Sequence, residues 1–205
     1  MKYNYQQIKL LSGPSRYDKR VFKADLKNGR FDIKNKEMGG IKPDGGLWTS
    51  TYNPILYKKH WRHGKDATFV SEWHEWCFSD MPTWIGKDCI LITVKTSARI
   101  FQIKDMPTLM ELYNKYPEVR LTDNGWGNLE PATGWHSKCL DFRKMKDDYD
   151  IIHLTSSGQV ETRNTGESID LYGWDCESSL MLNNVIQAFK KVPTYSTNHK
   201  PKESV

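Results

Sequence analysis

Residues 45–52 read Gly45-Gly46-Leu47-Trp48-Thr49-Ser50-Thr51-Tyr52. The two glycines allow a sharp turn or the close approach of a ligand to the backbone. The ring of Trp48 offers a stacking surface, and the three consecutive hydroxyls can orient polar groups, which together suit a nucleotide-like ligand. The same pattern is also typical of a hairpin turn that leads to a sheet edge, where Thr and Trp are common. In both interpretations, Leu47 to Thr51 is predicted to be a strand.

A second informative segment reads Trp174-Asp175-Cys176-Glu177-Ser178-Ser179-Leu180-Met181-Leu182-Asn183. In a strand, Glu177 shares one face with Ser179 and Met181, because successive side chains point to opposite faces. A carboxylate just ahead of an apolar strand could lie at the mouth of a cleft. The alternative is a solvated strand end with no chemical role.

The hydrophobic pattern elsewhere predicts a mixed, strand-rich α+β domain. Further strands are predicted at 6–12, 90–94, 98–103 and 149–155, at least one within 171–184, and a closing segment at 187–191. Helices are predicted at 67–78, with Ser71 or Thr68 as the cap, at 107–116, and at 141–146. We expect loops at 16–46 (with a turn from Pro43 to Gly46), an irregular insertion at 117–139 and a polar loop at 156–170.

Length and composition bound the class of protein. The chain has 205 residues, which is enough for one domain with its own core and short for two. Its 8 Trp and 10 Tyr argue against a disordered chain. We expect a single domain over 1–192 and a polar C-terminal tail over 193–205. No apolar run approaches the ~20 residues that a membrane span requires, and Met1 to Gln7 lacks the apolar region of a signal peptide.

Charge and cysteine usage give weaker indications. The formal net charge of +5 permits an acidic partner such as a nucleotide or a nucleic acid, but the Lys and Arg residues are spread along the chain, as on any solvated surface. The cysteines form no CxxC pair, so a cysteine zinc site is not expected. With no export signal, we expect reduced thiols and a cytoplasmic protein.

Several common catalytic patterns are missing from the sequence. His60 and His63 have a spacing that could bind a metal, but no third ligand follows at a suitable offset. The sequence has no Gly-x-Ser-x-Gly elbow of a Ser-His-Asp hydrolase and no Gly-rich phosphate loop. No metal site is therefore predicted.

Taken in order, the segments resemble the mono-ADP-ribosyltransferase superfamily. Leu11-Ser12-Gly13-Pro14-Ser15 is similar to that family's first motif, a strand end of the form Leu-x-(His or Arg)-Gly-(Thr or Ser). Gly45 to Thr51 is similar to the second motif, Gly-Gly-(Leu or Ile)-aromatic followed by hydroxyl residues. The remaining similarities are to the family's helix (69–78), its middle strands (89–103), its penultimate strand (149–154) and its last strand (177–182).

The resemblance implies an ADP-ribosyltransferase-like split sheet with peripheral helices. It also implies NAD as co-substrate and the transfer of ADP-ribose to a host protein or nucleic acid inside a bacterial or phage-infected cell. Glu177 would be the catalytic carboxylate, and Trp48 or Tyr52 would stack on the nicotinamide or exclude water. The residues implied to bind NAD are Ser12, Gly13, Gly46, Trp48, Thr49, Ser50, Thr51 and Tyr52.

One position departs from the family pattern. Ser12 stands where the family carries His or Arg, so that Arg16 or Arg20 would have to reach the cofactor instead. The acceptor would be selected by Trp126, Trp135 and the segment near Arg163. Two alternatives remain: an NAD glycohydrolase with water as the acceptor, and a non-catalytic phage or mobile-element protein that binds a host protein or nucleic acid through exposed Trp residues.

Overall fold

The computed structural model describes residues 9–12, 33–34, 42–53, 57–60, 66–82, 84, 88–134, 137–193 and 195–197. The strands are β1 (Lys9–Ser12), β2 (Ile33–Lys34), β3 (Asp44–Gly45), β4 (Leu47–Thr51), β5 (Tyr57–His60), β6 (Asp66–Phe69), β7 (Asp88–Val94), β8 (Ile100–Ile103), β9 (Pro117–Val119), β10 (Leu121–Asp123), β11 (Leu129–Pro131), β12 (Lys138–Leu140), β13 (Ile151–Leu154), β14 (Ser178–Met181), β15 (Ile186–Pro193) and β16 (Tyr195–Thr197). The helices are α1 (Glu72–Asp80), α2 (Met106–Lys115), α3 (Phe142–Met145) and α4 (Ser156–Thr162). This confirms the predicted α+β class.

One seven-stranded sheet organises the described part of the chain. Its strand order is β15-β7-β1-β4-β14-β13-β8. The pairs are antiparallel except for β13 and β8, which run parallel. The order places β1, β4 and β14 side by side in the middle of the sheet. These three strands carry or adjoin the three segments on which the family resemblance rests.

The two faces of the sheet bury different apolar clusters. On one face, Trp48, Leu180 and Ile152 are aligned across β4, β14 and β13, and they pack with the buried side chains of α2 and α3. On the other face, the neighbouring residues Leu47, Met181 and Ile151 pack with Ile92 and Val185. The alternation predicted for the strand after Glu177 is confirmed by this division, since Leu180 and Met181 belong to different clusters.

The core strands and the second predicted helix lie where hydrophobic periodicity indicates. β4 has the predicted bounds, and β7, β8 and β13 fall within one or two residues of the predicted segments at each end. α2 covers Met106–Lys115, with Asp105 as a capping residue that accepts a hydrogen bond from Thr108 N. Its buried residues Leu109 and Leu112 form the expected apolar stripe.

The predicted start of the helix at 67–78 is wrong. The structure places Ala67, Thr68 and Phe69 in β6, which pairs with both β5 and β16. α1 begins only at Glu72, because the Ser71 side chain accepts a hydrogen bond from His74 N and caps the helix there. Of the two predicted caps, Ser71 is therefore the one used.

Three predicted loops contain regular structure. The segment 117–139 holds two antiparallel ladders, β9 with β12 and β10 with β11. The segment 156–170 begins with α4, whose cap is Thr155. β3 lies within the turn predicted from Pro43 to Gly46 and pairs with β2, while Gly45 and Gly46 take positive φ values of 84° and 66°.

The remaining expectations concern the chain end, the cysteines and membrane spans. Tyr195–Thr197, inside the segment expected to be a polar tail, forms β16, and 198–205 lie outside the described residues. All the cysteines are buried and free of disulfides. Among the described residues, no helix is long and apolar enough to cross a membrane.

Candidate active site

The sheet register brings Glu177 beside the hydroxyl-rich end of β4. β14 pairs antiparallel with β4, with Ser179 opposite Thr49 and Leu180 opposite Trp48. Glu177 immediately precedes β14, so continuing the same register by two residues carries it to Thr51. Thr51 and Glu177 are 126 residues apart in the chain and are brought together by this strand pairing.

Three hydrogen bonds fix both oxygens of the Glu177 carboxylate. Oε2 accepts a hydrogen bond from Ser50 Oγ at 2.8 Å and one from the Thr51 backbone N–H at 2.9 Å. Oε1 accepts one from Thr51 Oγ1 at 2.7 Å. Because a carboxyl group that accepts several hydrogen bonds is held in one orientation, the two oxygens of Glu177 are preorganised.

The protein shields this carboxylate from water. Glu177 is only 4% exposed. Burial raises its pKa above the ordinary value, the hydrogen bonds from Thr51 and Ser50 act in the opposite direction, and the charge of Glu72 raises it further. Buried carboxylates with perturbed pKa values are typical of functional sites, although structural ion pairs also produce them.

Glu72 positions the backbone at Glu177. Its Oε1 accepts a hydrogen bond from the Glu177 backbone N–H at 3.0 Å, and its Oε2 accepts one from Ser156 Oγ at 2.8 Å. Glu72 is the first residue of α1 and Ser156 is the first of α4. One side chain therefore ties the starts of two helices to the strand end that carries Glu177.

His153 lies on the other side of the carboxylate. It is opposite Ser179 in the pairing of β13 with β14, and its Nδ1 is 2.8 Å from Ser179 Oγ and 3.3 Å from Glu177 Oε1. Burial lowers the pKa of His153 to about 4, so the ring is neutral near pH 7. Together, Thr49, Ser179 and His153 form a polar row across three strands, beyond the apolar row of Leu47, Met181 and Ile151.

The other predicted residues on β4 divide between the two sheet faces. Thr49 lies in the polar row, and its Oγ1 donates a hydrogen bond to the Ser179 carbonyl at 3.4 Å. Trp48 faces the opposite side and meets Trp174 edge-on, with ring centroids 4.6 Å apart. Tyr52 packs against the cluster that contains Val70 and Leu91. The structure thus brings Ser50 and Thr51 to Glu177, and it places Trp48 and Tyr52 against apolar clusters.

The first predicted motif is described only in part. β1 pairs with β4 through Leu10 opposite Thr51 and Leu11 opposite Ser50, so its backbone runs directly beside the hydroxyl segment. Ser12 is the last residue of β1 and pairs with Ile90 of β7. The remaining positions that were predicted for this region, Gly13, Arg16 and Arg20, lie outside the described residues.

Sequence reasoning missed Glu72 and His153. A histidine inside the apolar run Ile151-Ile152-His153-Leu154 is a signal that could have been used, because a buried imidazole needs a polar partner. Glu72 gives no such signal, since acidic residues are common in the first turn of a helix.

No metal site is formed in the part of the chain that the structure describes, where no three His, Cys, Asp or Glu side chains converge as metal ligands would. Of the regions predicted to select the acceptor, the segment near Arg163 contacts Asp175, two residues before Glu177, with 3.8 Å between Arg163 Nη2 and Asp175 Oδ1. Trp126 is 87% exposed. Trp135 lies outside the described residues.

Comparison with known proteins adds no relative to this description: no family model, no curated protein and no solved structure matches the chain.

Proposed function

We propose that this protein is an NAD-dependent ADP-ribosyltransferase, which cleaves the bond between ribose and nicotinamide and transfers ADP-ribose to a macromolecular acceptor. The observation that carries the proposal is the carboxylate of Glu177, held by the hydroxyls of Ser50 and Thr51 from the neighbouring strand. A buried, oriented carboxylate is the group that this chemistry requires. The adjacency of β1, β4 and β14 also supports it, because the three resembling segments lie on or beside neighbouring strands.

The reaction places positive charge where a carboxylate can stabilise it. When the glycosidic bond breaks, its electron pair leaves with nicotinamide and the ribose becomes oxocarbenium-like. A nucleophile on the acceptor then bonds to the same ribose carbon and loses a proton. A fixed carboxylate close to this centre stabilises the transition state more than the ground state, because the charge develops only as the bond breaks.

In the proposed reaction, a ribose hydroxyl would donate to one of the two carboxylate oxygens. An ionised carboxylate has about four lone-pair positions. Glu177 Oε2 accepts two hydrogen bonds, whereas Oε1 accepts one, from Thr51 Oγ1. Oε1, which His153 Nδ1 also approaches to 3.3 Å, therefore accepts fewer short hydrogen bonds than Oε2. A hydroxyl of the NAD ribose that donates to Oε1 would be aligned by the same hydrogen bonds that orient Glu177.

The experiment that tests the proposal follows the ADP-ribose group. Purified protein is incubated with NAD labelled in the adenine ring, with and without cell lysate, and the label in macromolecules is measured. We expect label in a macromolecular fraction with wild type, and its loss on treatment with protease or nuclease identifies a protein or a nucleic acid acceptor. Label found only as free ADP-ribose would mean that water is the acceptor, as in a glycohydrolase.

A second candidate function is non-catalytic binding to a host protein or nucleic acid. The observation that favours it is Trp126, which is 87% exposed at the tip of the β10–β11 hairpin. The tip is ordered by Asp123 Oδ1, which accepts hydrogen bonds from the N–H groups of Gly125 and Gly127. Exposed aromatic rings in fixed turns are common in binding surfaces.

Two substitutions separate the candidates. If the protein is a transferase, Glu177→Gln removes its biological effect while the fold is retained. If it is a binding protein, Trp126→Ala removes the effect and Glu177→Gln leaves it unchanged. The biological effect and a thermal unfolding curve, measured for both variants, decide between them.

A further inference from the structure

His153 is the buried titratable group at the site to which the proposed chemistry assigns no role. Its Nδ1 lies between two oxygen atoms, Ser179 Oγ at 2.8 Å and Glu177 Oε1 at 3.3 Å. It is 8% exposed, on a strand whose other three residues are apolar and buried. A buried imidazole aimed at a buried carboxylate needs a physical reason, since burying two such groups together is costly without favourable contacts.

The surroundings determine which ring nitrogen carries the proton. Across the sheet, the neighbours of His153 are Ser179 on β14 and Gln102 on β8, and neither is charged. Among the residues that the structure describes, Glu177 faces Nδ1, and Glu72 of α1 contacts the Glu177 backbone. A bare Nδ1 lone pair would face a carboxylate, whereas an Nδ1–H bond directs its positive end at that charge. The contact with Glu177 therefore favours the tautomer of the neutral ring that carries its proton on Nδ1.

We propose that His153 is a positioning residue for Glu177, whose Nδ1–H, shared between Ser179 Oγ and Glu177 Oε1, keeps the carboxylate ionised and oriented. A role in catalysis rests on the proposed function, whereas the effect of His153 on the ionisation of Glu177 depends only on the contact between the two side chains. The contact reaches Oε1, which accepts one other hydrogen bond, from Thr51 Oγ1. His153 would thus hold the proposed catalytic carboxylate in its charged form and fix the orientation of Oε1.

The test is a direct titration of Glu177. The carboxyl carbon of Glu177, labelled with carbon-13 and assigned with Glu177→Gln, is followed by NMR against pH in wild type, His153→Leu and His153→Asn. Loss of the N–H donor favours the neutral acid, so we expect the pKa of Glu177 to rise by about one pH unit in His153→Leu. Asn can place an amide N–H near the position of Nδ1, so we expect His153→Asn to restore most of the difference.

An unchanged pKa of Glu177 in His153→Leu overturns the proposal, as does an equal rise in the Leu and Asn variants. If His153→Leu fails to fold, His153→Gln replaces it, because the longer Gln side chain places its amide beyond the Nδ1 position. The titration needs no NAD, so it decides the role of His153 even if wild type releases no nicotinamide. That second result would refute the proposed function alone.

With an active enzyme, the acid limb of the pH profile of kcat/KM moves to higher pH in His153→Leu. A merely structural role would leave that limb in place.

Discussion

The chemistry proposed for this protein depends on two hydroxyls and one carboxylate. Ser50 and Thr51 donate to different oxygens of Glu177, and the Thr51 backbone N–H adds a third hydrogen bond. Hydrogen bonds to charged groups contribute about 1.5–3 kcal/mol each. Removing a hydroxyl therefore weakens the stabilisation of the ionised form and frees the carboxylate to turn.

We predict that Ser50→Ala and Thr51→Val each slow nicotinamide release by about 10- to 100-fold, which is the rate equivalent of one charge-assisted hydrogen bond. Both also raise the pKa of Glu177, so the activity is lost at a higher pH on the acid side. The pH profile of kcat/KM measures both effects. Thr93→Val, at an exposed position of β7, is the matched control, and an equal loss in that variant would contradict the assignment.

Some of the site residues can be predicted from the sequence and others cannot. Glu177, Ser50 and Thr51 were predicted together because a family resemblance connects two segments that no local pattern connects. The resemblance assigns Trp48 and Tyr52 to ligand stacking, but both pack into apolar clusters. For Trp48 the reason is strand alternation, which turns its side chain to the face opposite Thr49. Glu72 was missed because its partner, the Glu177 backbone, is distant in the chain.

At the scale of the elements, α4 helps to hold Glu72, the side chain that contacts the Glu177 backbone. It begins at Ser156, which binds Glu72, and packs against β8 at Gly158. A Cβ on Gly158 would lie 2.2 Å from the Ile103 carbonyl oxygen and 2.9 Å from its carbon. These atoms belong to the backbone, so the helix itself would have to move away.

We predict that Gly158→Ala lowers the free energy of unfolding by about 1–3 kcal/mol, the usual range for overpacking a close contact. Chemical denaturation measures it. Val160→Ala, on the same helix at a position that is 72% exposed, should change stability by less than about 0.5 kcal/mol. If Gly158→Ala were as stable as wild type, the close packing of α4 on β8 would be wrong.

The elements that sequence predicts well are those with an apolar pattern. β4, β7, β13 and α2 have such patterns, and their predicted positions are confirmed. α4 was predicted as a loop because its buried residues are Gly158 and Thr162, which give no apolar stripe. The ladders of β9 to β12 were predicted as irregular because most of their residues are polar or exposed and each strand has three residues.

At the scale of the whole molecule, two buried histidines link stability to pH. Burial lowers the pKa of both His74 and His153 to about 4, from an ordinary value of 6.5. Below pH 6.5 the unfolded chain binds protons that the folded protein excludes, so the free energy of unfolding falls as the pH falls. The loss continues until the folded protein also binds them, near pH 4.

We predict a loss of about 1.5 kcal/mol for each histidine between pH 6.5 and pH 5, because the slope reaches its full 1.36 kcal/mol per pH unit only well below pH 6.5. Glu177 has the opposite effect on the free energy of unfolding. Because its pKa is raised, the folded state binds a proton more readily than the unfolded chain as the pH falls. Urea unfolding at pH 7, 6 and 5 measures the sum. His74→Gln removes one contribution and should flatten the dependence, whereas an unchanged slope in that variant would show that His74 does not titrate in this way.

The measurement that tests the central claim most directly is the release of nicotinamide from NAD by the purified protein, with cell lysate as a source of acceptors. It compares wild type with Glu177→Gln and with Glu167→Gln, which alters an exposed carboxylate ten residues before Glu177. We predict release by wild type and Glu167→Gln, and a loss of at least about 10²- to 10³-fold in Glu177→Gln, as expected when one preorganised electrostatic group is removed. Equal release by wild type and Glu177→Gln, or no release by folded wild-type protein, would contradict the claim that Glu177 is the catalytic carboxylate of an NAD-cleaving enzyme.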